Sequence, residues 1–221
     1  PDDGDLRVRQ GLRVTYVAQE PHLDSQTSVF ESVSAGLARI IHLIEQMETL
    51  NSVENFPLNN YLEDFNLKNF IEEIIKNFES TADAKNIKII LKYQCDATNI
   101  ATDMNFLKRV LYNLISNAIK FSPFEKQIVV SVLDHQNNYE ISVKDEGPGI
   151  PSNERASIFD KFYRIGNEET RQKQGSGLGL FIAAEFAQLQ GAKITCKENF
   201  PKGTVFEVTL PYDKSLRTHH S

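Results

Sequence analysis

The sequence predicts an α+β fold, namely a two-layer α/β sandwich preceded by a long stem helix and a short N-terminal β-like segment. Two observations lead to this prediction. Segments whose apolar residues recur every three or four positions, as on one face of a helix, are followed by short runs rich in β-branched residues, which are typical of strands. In addition, the 221 residues are 40% hydrophobic and 24% charged, which supplies enough apolar mass for one sizeable core.

Apolar stripes predict the helices of the sandwich. The first helix carries the stripe Leu67, Phe70, Ile71, Ile74, Ile75 and Phe78. The second follows Asp103, whose carboxylate can accept a hydrogen bond from a free amide of the first turn. Its predicted buried face is Phe106, Leu107, Val110, Leu111, Leu114, Ile115 and Ala118. A third helix is predicted over 178–189, with its stop signal at Gly191.

Five strands are predicted around these helices, at 87–93, 127–133, 139–144, 192–196 and 204–210. Asn137 and Asn138 between the second and third of them are a hairpin turn signal. Helices combined with a mostly antiparallel sheet in this order indicate the two-layer sandwich.

The residues before 66 follow a different pattern. Apolar residues recur at alternating steps of three and four from Phe30 to Met47, which predicts a heptad seam on a stem helix over about 29–51. A bundle or a dimer would bury this seam, although it could also pack within one subunit. A loosely alternating run at 11–19 is consistent with a strand or hairpin, and the asparagines and Pro57 of 51–66 indicate a connector.

The composition bears on partners and compartment. The net charge of −6 gives no general electrostatic reason to bind nucleic acid or anionic lipid. No apolar run approaches the roughly 20 residues of a membrane span, so we expect no membrane segment in this chain. The two cysteines, Cys95 and Cys196, lack CxxC spacing, which favours a reducing compartment and hence a cytoplasmic location.

The first of four unusual patches is NLISNAIKFSP on the second predicted helix. Asn113, Asn117 and Lys120 recur at steps of four and three, so they share one helical face. Amide oxygens suit a hard cation such as Mg²⁺, and Lys120 could serve as a positive charge for phosphate. Taken alone, a polar face of this kind is usually only solvated.

The second patch is DEGPGIP, at the end of a predicted strand. Asp145 is placed to accept a hydrogen bond from an exocyclic amine, while Gly147 and Gly149 would let a flat ring approach the backbone. The same residues could equally form a simple turn, because glycine and proline often punctuate strands.

The third patch is GSGLGL, with Gly175, Gly177 and Gly179 directly before a predicted helix. Free amides at a helix N-terminus can bind phosphate. The run lacks the GK[ST] of a Walker loop, and Leu180 breaks the dinucleotide pattern G-x-G-x-x-G. As a lone motif it is weak.

The fourth patch is IFDKFYR. Phe159 and Phe162 lie three residues apart, and such a pair more often packs in a core than touches a ligand, so we expect core packing here. Arg164 could bind phosphate with two parallel hydrogen bonds. The ten residues 165–174 are mostly polar and poorly suited to a core, and they predict a flexible lid.

Taken together and in this order, the four patches resemble the catalytic ATP-binding domain of sensor histidine kinases. The resemblance covers about residues 39–211, and it implies the Bergerat-type fold shared with gyrase, Hsp90 and MutL. It assigns 66–212 to the catalytic domain, 39–65 to part of a dimerisation stem with its linker, and 213–221 to a flexible tail.

The resemblance also implies roles for single residues. Asn117 would coordinate Mg²⁺ with help from Asn113, and Lys120 would contact phosphate. Phe121 would pack against the base, Asp145 would read the adenine amino group, and Thr204 would help to fix that acid. The run GSGLGL, which includes Leu178, would close on the phosphates. The implied cofactors are ATP and Mg²⁺.

The histidine that accepts the phosphate is not evident in this chain. His42 is on the stem helix, but the heptad seam places it on the outward face, and Leu43 follows where the family has an acid. Residues 1–38 instead resemble a fragment of a duplicated cytosolic ABC ATPase, with Gln19 at the Q-loop position. We therefore expect a chimera whose foreign segment extends the stem helix.

The resemblance implies a histidine protein kinase of a two-component phosphorelay, from the cytoplasmic portion of a membrane-associated sensor. Its expected partners are ATP or ADP, a histidine-bearing stem helix, a response regulator and a second copy of the chain, whereas self-phosphorylation of this chain is not expected. Two alternatives stay open, which are a nucleotide-binding conformational module and a chimeric oligomerising protein with impaired catalysis. The gyrase and chaperone relatives typically carry a glutamate where this sequence has Asn113, and asparagine cannot act as that base.

Overall fold

The computed structural model describes residues 62–95, 99–135, 138–166 and 176–211. Several predicted features lie outside these ranges, namely the strand at 11–19, the stem helix at 29–51, Gly175 and the tail at 213–221. No helix in the described ranges is both long enough and apolar enough to cross a membrane.

The main sheet has five strands in the order β2-β4-β5-β7-β6. Its strands are β2 (Lys88–Gln94), β4 (Gln127–Asp134), β5 (Asn138–Lys144), β6 (Lys193–Glu198) and β7 (Thr204–Pro211). Three of the four pairings are antiparallel, and β2 runs parallel to β4. The predicted mostly antiparallel sheet is therefore confirmed.

Among the residues that the structure describes, three α-helices accompany the sheet, α1 (Leu67–Asp83), α2 (Met104–Phe121) and α3 (Gly179–Leu189), and a short 3-10 helix lies at Ser157–Phe159. The Asp103 carboxylate accepts a hydrogen bond from the Phe106 amide at 3.0 Å, which confirms the predicted cap of α2. Asn66 caps α1 in the same way, through the Asn69 amide at 2.9 Å. The predicted end of α3 also holds, since Gly191 follows with a φ of 65°.

The core lies between one face of the sheet and the helices. Every residue of the predicted buried face of α2 is buried, and the buried residues of β4, β5 and β7 alternate along each strand. Alternation means that one face of the sheet packs on helices while the other is more open. This arrangement confirms the predicted two-layer α/β sandwich.

Two strands were missed by the sequence analysis. β1 (Glu63–Asn66) and β3 (Asn99–Thr102) pair antiparallel in a small separate sheet. β1 occupies the last four residues of the predicted connector, so the described fold includes a strand before α1. Both strands are only four residues long, too short to show an alternating pattern.

Candidate functional site

The asparagine-bearing face of α2 points toward the start of α3. The Asn113 side-chain amide donates to the Arg109 carbonyl oxygen at 2.9 Å, which fixes the orientation of its amide group. A Cβ added at Gly179 would lie 2.7 Å from Asn113 Oδ1, so the absence of a side chain there lets the two helices approach closely. Asn117, one turn further along, is half-buried and makes no side-chain hydrogen bond within the ranges described.

Asp145 is a buried acid at the end of β5, with only 4% of its surface exposed. Its Oδ1 accepts hydrogen bonds from the Gly147 amide at 2.7 Å and the Thr204 amide at 3.2 Å. Burial raises the pKa of the Asp145 carboxyl above its ordinary value, and these hydrogen bonds act in the opposite direction. A fixed carboxylate in a dry setting is suited to pairing with one specific hydrogen-bond donor.

Close backbone packing surrounds Asp145. Gly203 has a φ of +133°, and a Cβ there would lie 2.0 Å from the Asp145 carbonyl oxygen. That same oxygen accepts a hydrogen bond from the Asn199 side chain at 2.7 Å. Sequence reasoning missed both Asn199 and Gly203, because each lies more than fifty residues along the chain from the acid that it contacts. The only local signal was the Pro-Lys-Gly turn before β7.

The end of α2 meets the Asp145 loop. A Cβ at Gly147 would lie 2.8 Å from Asp145 Oδ1 and 3.2 Å from the Phe121 carbonyl oxygen, so only glycine leaves room at this contact. The Phe121 ring is 39% exposed, and Lys120 Nζ lies 5.2 Å from its centroid. Gly149 has a φ of +79°, a conformation that glycine adopts without strain.

The glycine run before α3 has an unusual backbone. Gly177 has a φ of +74°, and a Cβ there would lie 2.7 Å from the Tyr163 carbonyl oxygen. Its own carbonyl oxygen accepts a hydrogen bond from the Phe162 amide at 3.1 Å. Leu178 is 1% exposed, so its side chain belongs to the core and only its backbone can face a ligand.

The two phenylalanines of IFDKFYR differ, and the prediction that both pack in the core was wrong. Phe159 packs against the core and meets the Phe206 ring edge-on, with centroids 6.4 Å apart. Phe162 is 50% exposed and has a φ of 64°. The Phe162 amide donates to the Gly177 carbonyl oxygen at 3.1 Å. Arg164 is half-buried.

The structure thus links all four patches. Asn113 approaches Gly179, Phe121 approaches Gly147, and Phe162 bonds to Gly177. These contacts bring the α2 face, the acid loop and the N-terminus of α3 around one region. Gly175 lies outside the residues that the structure describes.

The side-chain oxygens of this region suit a metal ion whose other ligands are water and substrate phosphate. Among the described residues, no group of three or more His, Cys, Asp or Glu side chains could hold a metal ion. The Asn113 side-chain nitrogen already donates a hydrogen bond to the Arg109 carbonyl oxygen. The Asn113 Oδ1 atom, on the opposite side of the amide group, is left to bind a cation. One or two amide oxygens fit Mg²⁺, which usually keeps several waters and binds substrate phosphates.

Comparison with known proteins identifies this class of site. Residues 102–214, just over half of the chain, match the family described as histidine kinase-, DNA gyrase B-, and HSP90-like ATPase. The chain belongs to this family. The match confirms the predicted fold class and the use of ATP.

The similar proteins are more specific. The chain is 34% identical over 176 residues to the sensor histidine kinase WalK of Bacillus subtilis, covering 79% of this chain and 29% of that protein. It is 35% identical over 134 residues to the sensor protein CiaH of Streptococcus pneumoniae, covering 61% of this chain and 30% of that protein. The catalytic domain of the histidine kinase ThkA superposes with a TM-score of 0.61 at 29% identity, covering 68% of this chain and 95% of that one.

This chain therefore contains a catalytic ATP-binding domain of the sensor histidine kinase type. It spans less than a third of the length of the curated relatives just named. These relatives are sensor proteins, and they give no support to the predicted ABC ATPase-like fragment at 1–38.

Proposed function

We propose that this chain binds ATP with Mg²⁺ and transfers the γ-phosphate to a histidine on a stem helix, as a histidine protein kinase of a two-component system. The observation that carries the proposal is the buried Asp145 carboxylate, held by the Gly147 and Thr204 amides next to the end of α2. An ionised carboxylate only accepts hydrogen bonds. It therefore favours a base that presents an amino group, as adenine does.

The base would lie between this acid and α2. In this proposal Asp145 accepts from the adenine amino group, and Thr204 fixes the acid through its backbone amide. Gly147 and Gly149 allow the ring close to the backbone, and the exposed part of the Phe121 ring offers a flat apolar surface.

The phosphates would lie between α2 and α3. Backbone amides at the start of α3, at Gly177 and Gly179, are proposed to donate to phosphate, because a helix leaves its first amides without intrahelical partners. The Leu178 amide between them donates to the Ser176 hydroxyl oxygen at 3.2 Å. Lys120 and Arg164 are proposed to neutralise phosphate charge, and Gly175 is proposed to belong to the same phosphate-binding run. Asn117 and Asn113 would supply amide oxygens to Mg²⁺, whose charge stabilises the transferring phosphoryl group when it is bound.

Transfer would depend on positioning and charge neutralisation, without a covalent enzyme intermediate. The acceptor histidine is proposed to be presented by a stem helix, with a response regulator receiving the phosphate afterwards. A dimer through the stem helix and a cytoplasmic location belong to the same proposal. His42 is not proposed as the acceptor, so radiolabel on that residue would contradict this part.

The rival role, a conformational module that hydrolyses ATP slowly, is disfavoured by Asn113. Water activation needs a base, and an amide cannot accept a proton at neutral pH. The Asn113 nitrogen also donates to the Arg109 carbonyl, which sets the group in one orientation. Phosphate release measured against phosphohistidine on an added stem fragment separates the two roles.

Calorimetric titration tests the proposal directly. We expect the chain to bind ADP and a non-hydrolysable ATP analogue, with affinity for the analogue raised by Mg²⁺. Asp145→Asn should weaken adenine nucleotide binding by about 1–3 kcal/mol, because the amide presents a donor to a donor. Asp134→Asn, a change of the same kind at the end of β4, is the control and should bind normally. Folded protein that takes up no adenine nucleotide would refute the proposal.

A further inference from the structure

Lys85 lies in the turn after α1 and reaches the C-terminal end of α2. Its ammonium group donates to three backbone carbonyl oxygens, those of Ile119 at 2.8 Å, Lys120 at 3.0 Å and Ser122 at 3.1 Å. A lysine ammonium carries three donors. The last carbonyls of a helix lack intrahelical partners, and a cation there also interacts favourably with the helix dipole.

The turn that carries Lys85 is itself tied to the loop after α2. The Glu125 amide donates to the Lys85 carbonyl oxygen at 3.0 Å, and the Lys88 amide donates to the Lys126 carbonyl oxygen at 3.1 Å. Asn86 next to it has a φ of 52°, a conformation that asparagine tolerates better than most residues. The backbone of Lys85 is therefore held against the loop that follows α2.

The carbonyls that Lys85 holds belong to Lys120, a proposed phosphate contact, and to the nearby residues Ile119 and Ser122. Lys120 and Phe121 are in the last turn of α2, and the Phe121 carbonyl oxygen packs against Gly147 in the Asp145 loop. Ser122 is 1% exposed, and its hydroxyl finds no hydrogen-bond partner among the residues described. The hydroxyl at this helix end therefore takes no part in capping, whereas the Lys85 ammonium group does.

We propose that Lys85 is a positioning residue for the nucleotide site. It acts through its hydrogen bonds to the three carbonyl oxygens at the C-terminal end of α2. It sets the last turn of α2, and through that turn the placement of Lys120, of the Phe121 ring and of the contact with Gly147. This inference rests on the proposed function, since it concerns how well the same site binds nucleotide. Lys85 does not touch the ligand itself.

The test compares Lys85→Met with Lys85→Arg. Methionine keeps an unbranched apolar stem but removes all three donors, whereas arginine keeps a charge and several donors. We expect Lys85→Met to raise the Kd of the magnesium-bound ATP analogue about tenfold. This is the lower end of the loss in affinity seen when a residue that supports a metal ligand is removed. Lys85→Arg should recover most of that affinity.

Two control variants separate positioning from mere stability. Lys76→Met removes one positive charge from an exposed position on α1, and it should leave the Kd unchanged. Asn77→Ala removes the hydrogen bond from the Asn77 side chain to the Tyr112 hydroxyl at 2.8 Å, which joins α1 to α2 away from the end of the helix. It should lower the melting temperature without changing the Kd.

Amide hydrogen exchange supplies a readout that needs no ligand. The Ser122 amide donates to the Ala118 carbonyl oxygen at 3.0 Å, so its exchange reports on the last turn of α2. Lys85→Met should speed exchange at Ser122 more than at amides in the middle of α2, and Asn77→Ala should not. Wild-type affinity in a folded Lys85→Met protein would overturn this inference and leave the proposed function standing. A wild-type chain that binds no nucleotide would overturn both.

Discussion

The two ends of the proposed nucleotide site are built differently. Around Asp145 the backbone is close-packed and buried. Three hydrogen bonds converge on this residue, one from nearby Gly147 and two from the distant Asn199 and Thr204. Around Gly177 the chain is less buried, since Gly177 and Gly179 are half-buried and the neighbouring Phe162 is half exposed. A tightly packed end can recognise a rigid base, while an open end can adjust to a phosphate chain.

The largest effect is expected at Gly203. An alanine there would place its Cβ 2.0 Å from the Asp145 carbonyl oxygen, with a φ of +133° that favours glycine. Because backbone cannot move aside cheaply, Gly203→Ala should lower the free energy of unfolding by at least about 4 kcal/mol. Urea unfolding measures this loss.

Gly191→Ala is the matched control. Gly191 also has a positive φ, 65°, but its Cβ would meet only Pro211 Cγ at 3.9 Å. The expected cost is about 1 kcal/mol for the left-handed backbone alone. Equal costs at the two glycines would mean that the packing around Asp145 is not tight.

The second prediction concerns pH at the buried end. Burial raises the pKa of Asp145 above its ordinary 3.8, so the folded state binds the proton more tightly than the unfolded state. Protonated Asp145 therefore stabilises the folded state at pH values below its ordinary pKa. This contribution to the free energy of unfolding is lost as pH rises from the ordinary pKa through the raised one. Nucleotide affinity should change the opposite way and fall as pH drops through the raised pKa, since only the ionised acid is a pure acceptor.

Asp145→Asn provides the comparison for this pH effect. Its nucleotide affinity should be weaker, and it should lack the acid-induced fall seen in the wild type. Calorimetry at a series of pH values measures both proteins. Parallel pH profiles would show that another group causes the effect.

The third prediction addresses the open end. Gly177→Ala forces a φ of +74° on alanine and places its Cβ 2.7 Å from the Tyr163 carbonyl oxygen. We expect a cost of about 1–2 kcal/mol in unfolding free energy, below that at Gly203 because the added Cβ would lie 2.7 Å from a backbone oxygen here and 2.0 Å from one there. Affinity for the ATP analogue should fall while affinity for adenosine is retained. If adenosine binding falls equally, the two ends are not separable.

The smallest effect is expected at Phe162. Because half of this side chain is exposed, Phe162→Ala should change the unfolding free energy by no more than about 0.5 kcal/mol. Phe159→Ala, three residues earlier, should cost about 3 kcal/mol because that ring packs against the core. Similar costs for both would restore the prediction that the pair packs inward.

The sequence predicted most of the fold through local periodicity. The stripes of α1 and α2 and the Asp103 cap are patterns within one segment, and each appears in the structure as expected. The parallel pairing of β2 with β4 and the small β1-β3 sheet were not predicted. Which strands become neighbours depends on contacts between distant segments, and a four-residue strand carries almost no pattern of its own.

The residues that carry the proposed chemistry could be named from the sequence because the four patches are local and their order resembles a known family, and the roles of Phe121, Leu178 and Thr204 rest on that resemblance alone. The amide face of α2, the acid before the paired glycines and the glycine run before α3 are all local features. Their proposed roles stay predictions until nucleotide binding is measured.

What only the tertiary structure decided is how these features are held. Asn199 and Gly203 reach Asp145, and Lys85 reaches the end of α2, across sequence separations of more than thirty residues. Phe162 is likewise exposed despite its apolar character, and its amide bonds to Gly177, fifteen residues along the chain. Local sequence determines the period and caps of each element, whereas hydrogen bonds and steric fit between elements form only when the chain has folded.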